Sequence, residues 1–513
     1  VADNDKIGRV FLIGAGPGDP GLITVHGLEL LQECDSVVYD NLVPRELVVG
    51  LKPGTRTIYV GKKAGNHALP QDQINQLLVD LAREGDKVAR LKGADPLIFG
   101  RGGEEARFLK DHDIPYEIVP AVTAAIGASA YTGIPCTDRE QASFVTFATG
   151  HPAQGKNRPG VPWPKIAQLK NGTLVIYMGV GEVARIVEEL IASGMDGDTP
   201  AAIIERATLP TQRRLIGVLK DLPQMVISES VRPPALFVIG KVVDLHAGIE
   251  WYGSGPLAGK RVMVLRPADQ ARQVYHDLRR LGAEVMPYPT IATKLHLDSA
   301  GWKRFAGLSG DDRWLVVTSE NGVRYFIDQL VEVVGDLRRL APFKIAAIGF
   351  GTARALARYH LKADFVPTTA TVASLAQELV AKHDLSKAQV VRVQGNLSDD
   401  TVASTLTEAG AEVSPLTVYH TFHPTWPDGF KEELESHPPD VIMFSSGSTA
   451  NGLFGLLTAD EIQRITANAT IASIGPSTTK VIENLGLKVA VTAKTHSLPG
   501  LINELVAHFK SEG

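Results

Sequence analysis

The stretch Arg9-Val-Phe-Leu-Ile-Gly-Ala-Gly-Pro-Gly-Asp-Pro20 decides the fold class. An apolar run too short for a helix breaks at a turn crowded with Gly and Pro. An amphipathic segment of helix length follows, with Thr24 at its N-cap position. Outward from it the unit repeats: Ser36-Val-Val-Tyr39, Lys87-Val-Ala-Arg-Leu91, Ser143-Phe-Val-Thr-Phe147, Thr173-Leu-Val-Ile-Tyr177 and Pro234-Ala-Leu-Phe-Val-Ile239 are further short runs of the same kind. Strand, turn and helix in rotation predict an α/β fold built on parallel sheets.

At roughly 150 residues per domain, 513 residues make about three domains, or two of the larger α/β kind. With 44% hydrophobic and 21% charged residues the composition is globular, which excludes a fibrous or disordered chain. Lys plus Arg number 52 against 57 Asp plus Glu, so no broad basic surface can displace counterions, and no nucleic-acid partner is expected. Cys34 and Cys136 form neither a redox nor a zinc pattern. No stretch reaches the roughly 18 apolar residues that span a bilayer. The expectation is a cytoplasmic protein with no metal and no membrane partner.

Two breaks interrupt the rhythm. Residues 151–164 (HPAQGKNRPGVPWP) are expected to hinge two lobes, about 1–150 and 165–245. Residues 246–258 (HAGIEWYGSGPLA) have the content of a linker and divide the chain into 1–245 and 259–513. The second part repeats itself. Gly282-Ala-Glu-Val285 returns as Gly410-Ala-Glu-Val413, Thr318-Ser319 as Ser445-Ser446, Ile348-Gly349 as Ile474-Gly475, and Leu375-Ala-Gln-Glu-Leu379 as Leu501-Ile-Asn-Glu-Leu505, each 126 to 128 positions on. Four matches in one order predict two similar α/β lobes facing a cleft.

The Gly14–Pro20 turn lets a ligand approach the backbone at a strand end. It is no dinucleotide fingerprint, because Asp19 stands at the third glycine and would repel a pyrophosphate; nor is it a Walker loop, for no Gly-Lys-Ser/Thr follows. Arg90-Leu-Lys-Gly-Ala-Asp-Pro-Leu-Ile-Phe-Gly-Arg-Gly-Gly-Glu-Glu105 packs turn residues, cations and carboxylates directly after a strand. Asp40 and Lys62 also follow β-like runs, and parallel strands would gather all these points on one rim. In the second part, Thr318-Ser319-Glu-Asn321-Gly322, Ser445-Ser446-Gly-Ser448 and Gly475-Pro-Ser477-Thr478-Thr479 each precede a helix-like stretch. Hydroxyls and free amides there can bind carboxylates, or can simply cap the helices. His420 and His423 lack a third ligand and do not make a metal site.

The first part resembles the tetrapyrrole (corrin/porphyrin) methyltransferase family, uroporphyrinogen-III C-methyltransferases in particular. GAGPGDP (14–20), YDNLV (39–43), VGKKAG (60–65), RLKGADPLIFGRGGEE (90–105), VPAVTAA (119–125), TGIP (132–135), ATGH (148–151), YMG (177–179), IIERAT (203–208) and PPALFVIGKVV (233–243) carry the likeness. The resemblance implies a two-lobed enzyme that methylates two ring carbons of uroporphyrinogen III with S-adenosylmethionine, giving precorrin-2 and S-adenosylhomocysteine. It assigns cofactor contacts to Pro17, Gly93, Ala94, Asp95, Ile98, Thr123, Ala124, Met178 and Ala207. It offers Asp40 and Arg101 as base and Lys62 as proton donor. Because arginine rarely loses its proton, Asp40 is the preferred base, with Arg101 anchoring a substrate carboxylate and Glu104 ordering it; an exposed ion pair at a helix start is the plainer alternative. Family members usually carry Gly where Ala94 and Ala121 stand, so a positive φ there would strain the backbone. Such enzymes are usually dimers, so the resemblance implies a homodimer through the methyltransferase part.

The second part resembles uroporphyrinogen-III synthase through GKRVMVLRP (259–267), LVVTSENGV (315–323), AAIGFGTARAL (346–356), TVYHT (417–421), MFSSGSTANGLF (443–454) and ASIGPSTTKVIENLGL (472–487). That family implies closure of hydroxymethylbilane, and two lobes, about 259–290 plus 420–513 and about 292–417, joined by connectors near Tyr288–Thr293 and Leu416–Thr421. Tyr419 is the candidate to assist loss of the substrate hydroxyl; Thr318, Ser319, Asn321, Ser445, Ser446, Ser448, Ser477 and Thr478 are candidates to bind the substrate, as Arg101 and Glu104 are in the first part. The joint expectation is a bifunctional enzyme with small tetrapyrrole substrates. The alternative is methylation of a later corrin precursor by a chain whose second part is a non-catalytic anion-binding module.

Overall fold

Among residues 7–61, 69–151, 160–398 and 400–512, which the computed structural model describes, the alternating runs form four five-stranded sheets. The first holds β1 (Arg9–Gly14), β2 (Ser36–Tyr39), β3 (Arg56–Tyr59), β4 (Lys87–Lys92) and β5 (Tyr116–Val119) in the order β3-β2-β4-β1-β5, all parallel. A parallel sheet is covered on both faces, which is why Val10 to Ile13 run apolar without alternation and are all buried. Thr24 caps the helix Val25–Glu33, accepting from the Gly27 N–H at 3.1 Å.

The second sheet holds β6 (Phe144–Thr149), β7 (Gly172–Tyr177), β8 (Pro200–Glu205), β9 (Arg213–Val218) and β10 (Ala235–Ile239) in the order β6-β7-β10-β8-β9. Only β6 and β7 pair in parallel. This corrects the expected hinge. Since β6 already belongs to the second sheet, the chain passes between the sheets ahead of Phe144, through the helix Ala124–Thr132, and the boundary is not near 150. The Pro- and Gly-rich stretch instead belongs to the crossover that a parallel β6–β7 pair requires; residues 152–159 of it lie outside the described residues.

β11 (Arg261–Val264) and β12 (Glu284–Pro287) open the third sheet. The chain then builds the fourth from β13 (Ala292–Leu295), β14 (Arg313–Val317), β15 (Phe343–Ala347), β16 (Gln389–Gly395) and β17 (Glu412–Phe422). It returns with β18 (Val441–Phe444), β19 (Thr470–Ser473) and β20 (Val491–Thr492). The orders are β12-β11-β18-β19-β20 and β13-β17-β16-β14-β15. Three of the repeated motifs lie at equivalent strands, β12 and β17, β18 and β14, β19 and β15, and the fourth lies on the helices Val372–Lys382 and Leu498–Glu512, so β12-β11-β18-β19 corresponds to β17-β16-β14-β15 and the duplication read in the sequence is a duplication of topology. Only β13 runs antiparallel, pairing with β17 over Tyr419–Phe422.

Two compact units result, one of residues 1–290 with 425–513 and the other Ile291–Pro424. The second unit extends past the expected limit at 417 because β17 continues unbroken to Phe422. The expected linker is also not a free tether. Trp251 Nε1 donates to the Ala130 carbonyl at 2.8 Å, and the Trp251 and Tyr252 rings pack on Tyr131, which binds the segment to the helix Ala124–Thr132.

Candidate functional site

Parallel pairing sets β1 beside β4, so the turns that follow them meet at one rim. The Ala94 N–H donates to the Gly16 carbonyl at 2.8 Å. A Cβ on Gly14 would stand 2.6 Å from the Ala121 Cβ and 2.7 Å from the Ala94 carbonyl oxygen. Only glycine permits this approach of three backbones. Asp95 ties the same loops together: its carboxylate accepts from the N–H groups of Leu97 (2.8 Å), Ile98 (3.2 Å) and Ala121 (3.2 Å). It is thus buried and committed to the backbone. A Cβ on Gly18 would meet the Ala207 carbonyl at 3.1 Å, and one on Gly127 would meet Pro17 Cγ at 2.5 Å.

Thr123 stands at the N-cap of the helix Ala124–Thr132, but its hydroxyl pairs with the Tyr177 hydroxyl at 2.8 Å, and that oxygen also accepts the Ala125 N–H at 2.9 Å. Burial pushes the Tyr177 phenol up from its ordinary value. Next to it Met178 is 53% exposed, although methionine most often fills a core. Leu42, Leu97, Ile98 and Phe99 are exposed too, and the Phe99 ring packs on Tyr177 at 4.8 Å between centroids. Pro17, Gly93, Ala94, Asp95, Ile98, Thr123, Ala124, Met178 and Ala207 therefore fall on loops that contact or adjoin one another. Six non-glycine residues of these loops have positive φ, namely Ala94 (59°), Phe99 (55°), Arg101 (60°), Met178 (54°), Arg206 (51°) and Thr208 (71°). Backbone strain of this kind costs of order 1–3 kcal/mol per residue and gathers at ligand sites. Of the two alanines in glycine positions, Ala94 carries the strain and Ala121 does not.

Beneath the rim lies a charge network that the sequence reading missed. Lys92 Nζ bonds both Glu105 oxygens at 2.8 Å, and Arg90 reaches Glu105 Oε1 and Asp40 Oδ2, both at 3.3 Å. Arg90, Lys92 and Glu105 are all buried. Burial, reinforced by the Arg90 charge and opposed by Glu105, pushes the Lys92 ammonium down. The signal was present, for Arg90 and Lys92 alternate on a buried strand and two cations on one face require a carboxylate. Asp40 is set by Arg90 and by the Leu42 N–H, which donates to its Oδ1 at 3.0 Å. Arg101, by contrast, projects from the left-handed N-cap of the helix Gly102–Asp111 and pairs with Glu104 at 2.7 Å, both half exposed. Its hydrogen bond to Glu104 holds the Arg101 guanidinium above an already high value. Lys62 lies outside the described residues.

In the unit Ile291–Pro424, the Tyr419 hydroxyl meets Ser319 Oγ at 3.3 Å, and its ring stacks on Tyr325. Ser319 caps the helix Glu320–Val334, with Thr318 and Asn321 half-buried on either side. In the other unit, Ser446 caps Gly447–Leu456 in a capping box with Thr449 and bonds Ser448 Oγ at 2.8 Å, beside half-buried Ser445. Ser477 is exposed in the first turn of Pro476–Asn484. Thr478, the third residue of that helix, turns inward and is buried.

Among the described residues no helix is long and apolar enough to cross a membrane, and no group of three or more His, Cys, Asp or Glu could hold a metal ion. Residues 9–223 match the family Tetrapyrrole (Corrin/Porphyrin) Methylases, and residues 273–503 match Uroporphyrinogen-III synthase HemD. Over 507 residues the chain is 33% identical to the porphyrin biosynthesis protein HemD of Ruminiclostridium josui, covering 97% of this chain and 98% of that one. Siroheme synthase 3 of Aeromonas hydrophila is 48% identical over 251 residues, 49% of this chain and 53% of its own, so this chain spans about half of that relative. The solved uroporphyrin-III C-methyltransferase of Thermus thermophilus, complexed with S-adenyl homocysteine, is 39% identical over 46% of this chain and 93% of its own, at a TM-score of 0.39.

Proposed function

The chain belongs to the family of two-part porphyrin-biosynthesis proteins in which a tetrapyrrole methylase is followed by a uroporphyrinogen-III synthase, and from that premise we propose that it closes hydroxymethylbilane to uroporphyrinogen III and methylates C2 and C7 of that product to give precorrin-2. It is a bifunctional tetrapyrrole-biosynthesis enzyme, with the methyltransferase in 1–245 and the synthase in 259–513. The observation that carries the first activity is the rim of the first sheet, where three turns lock backbone to backbone around strained, apolar residues with, among the described residues, no lysine placed for a phosphate. That donor set fits S-adenosylmethionine, which has no phosphate and when bound supplies an electrophilic methyl carbon on a sulfonium.

Pro17, Gly93, Ala94, Ile98, Thr123, Ala124, Met178 and Ala207 hold the cofactor, and Asp95 shapes the loops that do so. Leu42, Leu97 and Phe99 exclude water from the reacting carbon. Asp40, fixed by Arg90, accepts at its carboxylate the proton that leaves the methylated ring, while Arg101 with Glu104 receives a substrate carboxylate; where Lys62 donates a proton to one ring atom as the double bonds shift, a second proton leaves another, so that one proton is lost per methyl gained. Catalysis is then largely positioning and electrostatics. In the synthase the Tyr419 hydroxyl, beside Ser319, assists loss of the substrate hydroxyl. Thr318, Asn321, Ser445, Ser446, Ser448 and Ser477 bind its carboxylates at helix N-termini. The enzyme acts in the cytoplasm as a homodimer through the methyltransferase half.

Hydroxymethylbilane alone tests the synthase: the type III isomer is expected, and a product of type I only would refute it. S-adenosylmethionine is then added, and a mass gain of two methyl groups is expected. No gain would refute the methyltransferase.

A further inference from the structure

Two turns of the first sheet, the glycine turn after β1 and the Asp40 turn after β2, are held from the synthase half. Arg279, at the end of the helix Ala268–Arg280, donates from Nε to Glu46 Oε1 at 3.1 Å and pairs through Nη2 with Glu46 Oε2. Its Nη1 lies 4.0 Å from Asp19 Oδ1. Asp19 belongs to the glycine turn, where its carboxylate accepts the Gly21 N–H at 2.8 Å and the Tyr131 hydroxyl at 2.6 Å. Its own N–H donates to Thr208 Oγ1 at 2.9 Å. Tyr252, from the connecting segment, donates to the Thr208 carbonyl at 3.2 Å.

Glu46 lies on the helix Arg45–Val49, directly after the Asp40 turn. Arg45 of that helix pairs with Glu433, donates to the Gly429 carbonyl at 2.9 Å and lies 4.2 Å over the Phe430 ring. Tyr39, next to Asp40, donates to the Asp428 carbonyl at 3.2 Å. Asp19, Glu46, Tyr131, Thr208, Tyr252 and Arg279 together border a cavity of ≈ 670 Å³ that reaches Pro17.

Arg279 is thus the cation between two carboxylates, one in each turn, and Asp19, Glu46 and Arg279 are all mostly shielded from water. Burial pushes the Glu46 carboxyl up and Arg279 opposes it. Burial and the Asp19 charge push the Tyr131 phenol up, which keeps it a donor to Asp19. Without the guanidinium the buried Glu46 carboxylate would lose its cation and be left to the repulsion of Asp19, and the segments that carry the two would part. We propose that Arg279 is a positioning residue for methyl transfer: from the synthase half it sets the glycine turn and the Asp40 turn, so cofactor affinity in one half depends on a side chain of the other. This rests on the reading of the first-sheet rim as the cofactor site.

The full-length chain and its Arg279→Gln variant are titrated with S-adenosylhomocysteine by calorimetry, and both are assayed for cyclisation and methylation. The expected result is a Kd raised about tenfold, a matching rise in KM for S-adenosylmethionine, a lower kcat for methylation because the Asp40 turn is released too, and unchanged cyclisation. The Glu46→Gln/Arg279→Gln double variant, which removes the buried charge with its partner, is expected to recover most of the affinity. Equal binding by wild type and Arg279→Gln would overturn the inference. If Arg279→Gln loses both activities, recovery in the double variant supports the inference and its absence overturns it. A wild type that does not bind the ligand would instead overturn the cofactor reading, and this inference with it.

Discussion

Tyr419 lies against Gly395, where a Cβ would stand 2.6 Å from the ring carbon Cζ. A residue without a side chain leaves the phenol where its hydroxyl meets Ser319. Gly395→Ala is expected to displace the ring, to cost about 1–3 kcal/mol of stability, and to lower cyclisation while methylation of supplied uroporphyrinogen III holds at the wild-type rate. Urea unfolding with the two assays checks this, and an unchanged cyclisation rate would take Tyr419 out of the reaction. At the scale of single residues, Asp40, Asp95 and Arg101 stood out as candidates because they stand in motifs. Glu105 was not, although it ends the same run, because its role depends on burial beside Arg90 and Lys92. Asp95 stood out as a candidate, but the commitment of its carboxylate to backbone N–H groups did not show in the sequence.

Helix starts raise the question of whether a hydroxyl caps or binds. Ser446 visibly caps Gly447–Leu456, and glycine replaces serine at an N-cap at a cost of only a few tenths of a kcal/mol. Ser446→Gly is therefore expected to leave the unfolding midpoint almost unchanged and to raise KM for hydroxymethylbilane severalfold. An unchanged KM would leave Ser446 with the cap alone. The caps themselves were legible, at Thr24 as at Ser446, since an N-cap depends on a few adjacent residues. The role of 151–164 was not. Composition shows that a helix or strand stops there, but the sheet that β6 joins is settled by its pairing with β7, 28 positions on, over Phe144↔Gly172 to Thr149↔Tyr177.

Across the whole molecule the proposed assignment gives the two chemistries separate residues, so they are expected to be removable separately. Asp40→Asn is expected to lower methylation by ~10²-fold or more while S-adenosylhomocysteine still binds, and Tyr419→Phe to lower formation of the type III ring. Neither variant alone should yield dimethylated type III product from hydroxymethylbilane, whereas the two mixed in one vessel should. A mixture as inactive as its components would show that the sites are not independent. The sequence by itself determined the α/β class, the two parts, the duplication within the second and the glycine-rich rim, because strand periodicity and turn chemistry act over a few residues. Only the tertiary structure decided that β6 belongs to the second sheet, that Arg90, Lys92 and Glu105 are buried together, and that Arg279 clasps Glu46. Residues 233 positions apart share no local conformational preference, and their attraction takes effect only after the sheets between them have packed and removed the water that would screen it.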